Sequence, residues 1–285
     1  MPQLQQRYAR VLAIAGSDSG GGAGVQADLK TFSALGCYGM TAITAVTAQN
    51  TLGVAAIHDI PLAILEAQIN AVMDDIGADA VKIGKLHTPG AVGMVASAID
   101  RHRMQQVVLD PVMVATSGDR LMGIEAMQVL VRELLHRCTV VTPNVDEAEL
   151  LLGRKIATAA GLIDAAHDLL AMGARAVLLK GAHLPGEKIT DVLAIRGQPV
   201  QHFQSPRLHS RNLHGTGCTL SSAIAAYLAL GQSLPEAVRL ARLYVRRAIS
   251  AGADMHTGGG HGPLNHAHAP QKLRGLEKSR INRPG

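Results

Sequence analysis

The sequence has no tryptophan, and aromatic residues account for only 2% of its 285 positions. Its core must therefore be built from Ala, Val, Leu, Ile and Met side chains. The aromatic platforms on which bases of single-stranded nucleic acids stack are nearly absent. This composition argues against a nucleic-acid-binding protein.

Cysteine is also rare, because Cys37, Cys138 and Cys218 are the only three and none of them forms a Cys-x-x-Cys pair. That pattern argues against a structural zinc site and against the disulfide framework of a small secreted domain. No apolar run reaches the roughly 18 residues that a membrane-spanning helix needs. Residues 1–10 lack the apolar core of a signal peptide. We expect a soluble cytoplasmic protein with no membrane partner.

Little of the formal net charge of +5 lies outside the C-terminus, since residues 269–285 hold five Lys and Arg residues against one Glu. A short basic terminus is typically a solvated tail rather than a nucleic-acid grip. We therefore expect an N-terminal extension at residues 1–10, a single domain at residues 11–268 and a mobile basic tail at residues 269–285. No nucleic-acid partner is expected.

Short apolar segments alternate with amphipathic ones along the chain. The former predict strands at residues 11–15, 38–49, 54–60, 79–83, 107–109, 139–141 and 176–179. The latter predict helices at residues 23–35, 62–72, 89–100, 124–135, 145–152, 158–172, 218–230 and 235–250. This order predicts an α/β fold with a mostly parallel sheet covered by helices on both faces. Residues 191–195 and 199–203 predict a small antiparallel hairpin at one edge.

Two glycine-rich turns interrupt the alternation. The first, at residues 16–24, lies between a strand and a helix, which is the setting of a dinucleotide-binding fingerprint. Its glycines do not fit Gly-x-Gly-x-x-Gly with an acidic residue after the next strand, so we reject that function. The second turn, His214-Gly215-Thr216-Gly217-Cys218, runs directly into an apolar helix.

The second turn has the features of an anion-binding site. Gly215 and Gly217 let the backbone approach a ligand closely, and the helix presents unpaired N–H groups at its positive end. Cys218 lies at the same end, where the pKa of a thiol is lowered. An anion hole beside an activated base suits phosphoryl transfer to an alcohol. The alternative is a plain glycine-rich helix start with a small buried cysteine.

Further polar residues follow the predicted strands, whose carboxyl ends meet at one edge of a parallel sheet. They are Asp28, Gln49, Lys82, Asp110, Asn144, Glu147 and Lys180. A nucleoside triphosphate needs carboxylates for Mg²⁺ and a lysine for phosphate. Structural alternatives exist: Asn144 with Glu147 fits a helix capping box, Asp110 a strand terminator and Lys180 a surface lysine.

Four histidines near the C-terminus lie in a loop without helical spacing or cysteines, and we do not expect them to bind a metal. They are His256, His261, His266 and His268.

The ensemble of motifs resembles the hydroxymethylpyrimidine and phosphomethylpyrimidine kinases of thiamine biosynthesis, in the ribokinase-like family. The matching segments are residues 15–18, 21–32, 47–51, 108–113, 142–144 and 214–219, so the resemblance runs from Val11 to His268. It implies a ribokinase-like fold and ATP-dependent phosphorylation of 4-amino-5-hydroxymethyl-2-methylpyrimidine, then of its monophosphate. It also implies ATP and Mg²⁺ as cofactors and a homodimer joined through an edge sheet.

The resemblance further implies roles for individual residues. The catalytic group consists of the base Cys218 and the anion hole Gly215, Thr216 and Gly217. The pyrimidine pocket consists of Gly16, Ala23, Asp28, Gln49 and Val112, with Asp28 and Gln49 hydrogen-bonding the aminopyrimidine. The nucleotide contacts are Asn144, Lys180 and Thr219, and the Mg²⁺ site is Asp110 with Glu147.

Lys85 departs from the family pattern, in which a methionine packs on the pyrimidine. A lysine brings a cation toward the pocket unless its head reaches solvent. We therefore place Lys85 among the substrate-binding residues and expect it to favour the phosphorylated substrate or a different acceptor. Two alternatives to the main function are a pyridoxal kinase of the same family and a pyrimidine-sensing module without catalysis.

Overall fold

The computed structural model describes residues 6–113 and 122–277. The strands are β1 (Gln6–Tyr8), β2 (Arg10–Asp18), β3 (Tyr38–Asn50), β4 (Gly53–Asp59), β5 (Ala80–Ile83), β6 (Val107–Leu109), β7 (Val140–Val141), β8 (Ala176–Leu179), β9 (Lys188–Ile195), β10 (Gln201–Pro206) and β11 (Gly275–Glu277). The helices are α1 (Gly24–Ala34), α2 (Leu62–Asp75), α3 (Pro89–Arg101), α4 (Ile124–Glu133), α5 (Val145–Leu152), α6 (Ala159–Ala171), α7 (Thr216–Ala229) and α8 (Leu234–Gly252).

Nine strands form one sheet in the order β10-β9-β8-β7-β6-β5-β2-β3-β4. Its centre, from β3 to β8, is parallel. Strands β9 and β10 add the predicted antiparallel hairpin at one edge, which confirms the α/β architecture expected from the sequence. Strand β4 is antiparallel at the other edge, because only residues 51–52 join it to β3 and a parallel crossover needs a dozen residues or more.

The central strands are buried on both faces, as their continuous apolar runs predict. Successive side chains of β2 enter different cores: Leu12 and Ile14 pack with helices α2 to α6, whereas Val11 and Ala13 pack with α1, α7 and α8. The side-chain period of two along a strand produces this division. The helices packed on both faces support the central parallel strands, whose carboxyl ends lie at one edge of the sheet.

Helix α7 is buried along most of its length, including ten of its 14 residues. It packs between α1 and α8 and against β2, β5 and β6, and its alanines allow this close approach. Although α7 is apolar, no helix in the described ranges is long and apolar enough to cross a membrane. The burial of α7 fixes its N-terminus beside the carboxyl ends of β5 and β6.

Residues 6–8 and 275–277 form a second, two-stranded sheet, in which β1 pairs antiparallel with β11. Residues 269–277, expected to belong to a mobile tail, are held there and by hydrogen bonds from Gln271 N to Ala34 O and from Arg274 N to Gly36 O. A three-residue strand has no periodic signal from which to predict it. The division into extension, domain and tail stays a prediction, and residues 278–285 lie outside the described part.

Candidate functional site

The two glycine-rich turns pack directly against each other at the N-terminus of α7. Gly215 has a φ of 84°, in the left-handed region, and a Cβ on it would overlap the carbonyl oxygen of Gly22. A Cβ on Gly22 would in turn overlap the imidazole of His214. The glycines are therefore needed for the contact between the turns, in addition to any approach by a ligand.

A single carboxylate organises the first turn and joins it to the second. Asp18 accepts hydrogen bonds from the N–H groups of Gly20, Gly22 and Ala23 at 2.8, 3.1 and 2.8 Å. His214 Nε2 lies 3.0 Å from Asp18 Oδ2. Burial opposes ionisation, but the hydrogen bonds from His214 and Ala23 keep the pKa of Asp18 below its ordinary value. The sequence interpretation gave neither Asp18 nor the His214 side chain a role, although an Asp before a run of glycines is a common turn-forming pattern.

Cys218 lies in the first turn of α7, partly exposed and near the N–H of Gly24 at the start of α1. Burial raises the pKa of Cys218 to about 11, although the Lys82 cation opposes the rise. The lowered pKa expected for this thiol is therefore wrong. The helix terminus favours a thiolate, but desolvation and the nearby carboxylates Asp28 and Asp110 outweigh it.

Lys180 and Asp110 form a buried ion pair beside the anion-binding turn. Lys180 Nζ lies 3.0 Å from Asp110 Oδ1, and the two side chains are 12% and 3% exposed. A Cβ on Gly217 would lie 3.4 Å from Lys180 Nζ and 3.6 Å from Asp110 Oδ2. Burial alone would raise the pKa of Asp110, but the Lys180 and Lys82 cations lower it below its ordinary value. Lys180 is thus not the surface lysine of the alternative interpretation.

Asn144 and Glu147 form the capping box of α5, with Asn144 Oδ1 accepting from Glu147 N and Glu147 Oε2 accepting from Asn144 N, both at 2.9 Å. Glu147 Oε1 also accepts from the N–H of Met113 at 3.2 Å. The preceding residue, Val112, has a φ of 39°, which is costly for a β-branched side chain. Glu147 thereby helps to hold a strained segment beside the site. Burial raises its pKa, against the effect of the Lys180 cation.

Asp28 is fully buried and paired with Lys82, whose Nζ lies 2.9 and 3.0 Å from its two oxygens. Ser222 Oγ donates a third hydrogen bond to Asp28 at 2.6 Å. The contact expected between this carboxylate and a pyrimidine stays a prediction, because both of its oxygens already have protein partners. The sequence pattern places Lys82 at a strand end and assigns it no role. Its position within a buried apolar strand nevertheless indicates a buried ion pair, because a buried ammonium group requires a counter-ion.

Other expected pocket residues lie on both sides of the turns. Gln49 Nε2 is 3.3 Å from His214 Nε2, at the end of β3. Gly16 lies near Thr44, whose hydroxyl donates to the backbone oxygen of Lys85 at 2.9 Å. Burial lowers the pKa of the Lys85 side chain, while Asp59 opposes that shift. The substrate role of Lys85 stays a prediction.

Two threonines of the turn use their hydroxyls internally. Thr216 Oγ1 donates to Leu213 O at 2.7 Å. Thr219 is buried, donates to Gly215 O at 2.8 Å and lies 2.9 Å from His266 Nε2. The nucleotide contact expected for Thr219 therefore stays a prediction, and its observed role is to hold the turn.

The carboxylates of the site suit a magnesium ion that arrives with a nucleotide. Within residues 6–113 and 122–277, no three His, Cys, Asp or Glu side chains form a ready metal cluster. Proteins commonly hold Mg²⁺ through one or two carboxylates together with substrate phosphates. Asp110 and Glu147, which both interact with the Lys180 cation, are the expected donor pair, and their binding of Mg²⁺ stays a prediction.

An open cavity of about 630 Å³ adjoins the turn, lined by Arg207–Arg211, Leu213 and Ala253. A smaller cavity of about 270 Å³ shares Arg211 and Ala253 with it and extends to Gly260. Arg211 in the lining favours an anionic ligand, whereas the Arg207 guanidinium donates to the carbonyl oxygens of Gly186, Ala182 and Leu184. The cavity thus offers space for a large ligand next to the anion-binding N-terminus of α7.

The model of the family described as phosphomethylpyrimidine kinase matches residues 18–265. The chain is 50% identical over 258 residues to a hydroxymethylpyrimidine/phosphomethylpyrimidine kinase of Rhizobium meliloti (strain 1021), covering 90% of this chain and 96% of that relative. Its structure is similar to a phosphomethylpyrimidine kinase from Clostridium difficile 630, with a TM-score of 0.76, 42% identity and coverage of 84% and 99% of the two chains.

The structure is also similar to the pyridoxal kinase from Staphylococcus aureus in complex with AMP-PCP and pyridoxal, with a TM-score of 0.83 and 33% identity. That match covers 92% of this chain and 94% of the other. These neighbours confirm the ribokinase-like fold expected from the sequence. By the extent of the family match and by its identity to curated relatives, the chain belongs to the phosphomethylpyrimidine kinase family.

Proposed function

We propose that the chain transfers a phosphoryl group from ATP to the hydroxymethyl group of 4-amino-5-hydroxymethyl-2-methylpyrimidine, and a second one to the resulting monophosphate. One observation carries this proposal: the Lys180–Asp110 pair lies directly against Gly217 in the first turn of α7. A cation, a carboxylate and a helix N-terminus in contact are the parts that phosphoryl transfer requires. The function named for the relatives agrees with this geometry.

The chain's own residues perform the transfer mainly through positioning and charge. The N–H groups at the start of α7 donate hydrogen bonds to the oxygens of the transferred phosphoryl group and so stabilise the negative charge that spreads over it. Lys180 neutralises part of the same charge, while Asp18 and His214 keep the two glycine turns closed on each other. Mg²⁺ held by Asp110 and Glu147 would screen the phosphate oxygens when it is bound.

We assign the nucleotide to the cavity lined by Arg207–Arg211, with its phosphates directed toward α7. The AMP-PCP complex of the similar pyridoxal kinase supports the use of ATP. Asn144, Lys180 and Thr219 remain the proposed nucleotide contacts. Of these, Lys180 has its ammonium group beside Gly217, at the start of α7.

The direct test is to measure ADP formed per hydroxymethylpyrimidine consumed at saturating ATP. Two successive transfers to one acceptor give a ratio of about two. Pyridoxal turnover exceeding pyrimidine turnover in the same coupled assay would support the alternative pyridoxal kinase. Tight pyrimidine binding without ADP release would support a sensing module. Either result would overturn the proposed function.

Cys218→Ala should separate the two steps. A general base contributes about 10²–10⁴-fold, so the first phosphorylation should fall by at least about 100-fold. The second should change by less than about tenfold, because a phosphate monoester is already anionic near neutral pH. Since the pKa of Cys218 is about 11, the wild-type first step should accelerate with rising pH from 7 to 9.

Single-turnover rates of both steps across that pH range would provide the measurement. Cys138→Ala is the matched control, because Cys138 is buried away from the turns and its thiol is equally protonated. Two results together would exclude Cys218 as the general base: a first phosphorylation that does not depend on pH, and an equal loss of rate in both steps on Cys218→Ala. The backbone anion hole alone would then account for the chemistry.

Lys85→Met should change the preference between the two pyrimidine substrates. The half-buried cation favours the phosphorylated substrate, and losing about 1 kcal/mol of attraction would shift the ratio of kcat/KM values about fivefold toward the alcohol. Lys155→Met, which removes a cation whose side chain is 89% exposed, serves as the control. An unchanged ratio in Lys85→Met would exclude Lys85 from substrate selection.

A homodimer through the β4 edge belongs to the same proposal. All seven residues of β4 are exposed, including Val54 and Ile57, and an uncovered edge strand is a template for pairing with another chain. Light scattering should give twice the chain mass of 29.8 kDa, and Ile57→Arg should reduce it. A monomeric wild type at micromolar concentration would contradict this. Cytoplasmic location and the expectation of no nucleic-acid partner stay predictions.

A further inference from the structure

Residues 253–268, here called the C-terminal strap, follow α8 and return along the anion-binding turn. They contact that turn at three successive points. Asn212 Nδ2 donates to Met255 O at 2.6 Å, His214 N donates to Gly262 O at 3.1 Å, and Thr219 Oγ1 lies 2.9 Å from His266 Nε2. The first two contacts use strap backbone, whereas the third uses a side chain and therefore depends on the sequence.

The third contact is buried. His266 is 5% exposed and Thr219 is fully buried. The Thr219 hydroxyl lies 2.8 Å from Gly215 O and 2.9 Å from His266 Nε2, so it bridges the turn and the imidazole. Burial lowers the pKa of His266 to about 4, which keeps the ring neutral at physiological pH.

His266 is itself held from the opposite side. The Tyr244 hydroxyl on α8 donates to His266 O at 2.7 Å. The Tyr244 ring packs 5.1 Å from the ring of His268, measured between centroids. The N–H of Asn265 also bonds to Ala248 O at 3.1 Å. The imidazole is thus anchored to α8 rather than carried on a free loop.

The chain of hydrogen bonds ends at the residue that sets the geometry of the anion hole. Gly215 precedes α7 in the left-handed region and has no side chain with which to cap the helix. Its carbonyl accepts from both the N–H and the hydroxyl of Thr219. The same peptide plane carries the N–H of Thr216, which bonds to Leu213 O at 3.2 Å. Fixing this plane determines where the next N–H groups, of Gly217 and Cys218, point.

We propose that His266 is a positioning residue for phosphoryl transfer, which fixes the anion-binding turn through its hydrogen bond with the Thr219 hydroxyl. This inference rests on the proposed kinase function. His266 does not touch the reacting atoms. It acts through Thr219 and Gly215 on N–H groups whose hydrogen bonds strengthen as charge develops in the transition state.

The test begins with His266→Phe, which keeps an aromatic ring and removes the hydrogen-bonding nitrogen. A misdirected anion hole should lower kcat about threefold to tenfold, the equivalent of one hydrogen bond, and leave the KM for the pyrimidine alcohol unchanged. His266→Gln, whose amide can still hydrogen-bond to the Thr219 hydroxyl, should recover part of the loss. His268→Phe is the matched control, since it retains a ring beside Tyr244 and its ring nitrogen bonds only within the strap.

A double-mutant cycle with Thr219→Val identifies the route. If His266 acts through Thr219, His266→Phe should cause no further loss of kcat in the Thr219→Val background. Amide hydrogen exchange of Thr219 should accelerate in His266→Phe and not in His268→Phe. A folded His266→Phe with unchanged kcat, or losses that are additive in the cycle, would overturn the proposal.

If His266→Phe does not fold, the proposal is tested by His266→Gln and by comparing Thr219→Ser with Thr219→Val, because serine retains the hydroxyl and valine removes it. Full activity of Thr219→Val would then overturn the proposal. A wild-type protein without phosphoryl transfer would contradict the proposed function instead. The exchange rates would still test whether His266 holds the turn.

Discussion

The close packing of Gly215 against Gly22 is the contact on which the site depends. It brings together turns that are almost 200 positions apart and places the N-termini of α1 and α7 at one point. Neither turn accepts a Cβ there, and the Asp18–His214 hydrogen bond closes the contact from the side. The buried α7 then transmits this position to the sheet, because it is held by α1, α8 and the central strands. The anion-binding N–H groups therefore lie on a rigid part of the fold rather than on a loop.

Charge balance explains the state of the site. Two buried cations, Lys82 and Lys180, neighbour three carboxylates, Asp28, Asp110 and Glu147. Burial raises the pKa of Glu147 and of the Cys218 thiol. The Lys180 cation opposes the first shift and the Lys82 cation the second, whereas the excess negative charge, through Asp110 in both cases, adds to them. A divalent cation would offset that excess when a nucleotide arrives. Burial, together with the nearby Asp28 and Asp110, thus explains why the helix terminus alone does not produce a thiolate.

Similarity of fold does not select the acceptor alcohol. The TM-score is higher for a pyridoxal kinase, 0.83, than for a phosphomethylpyrimidine kinase, 0.76, so backbone shape would favour the alternative. The pyrimidine kinases are favoured instead by sequence, at 50% identity to one relative against 33% for the pyridoxal kinase. Substrate choice lies in a few side chains placed on a shared scaffold. Gln49, beside His214, and Lys85, near Asp59, are the positions at which this chain can differ from the pyridoxal kinases in its choice of substrate.

The sequence by itself determined the alternation of strands and helices, the glycine turns, the edge hairpin and the capping box of Asn144 with Glu147. These features depend on side-chain period and local hydrogen bonding, which act over a few residues. Only the tertiary structure decided the pairing of β1 with β11, the burial of Asp28 with Lys82 and the raised pKa of Cys218. Each of these results from groups far apart in the chain, whose desolvation and partners exist only after packing.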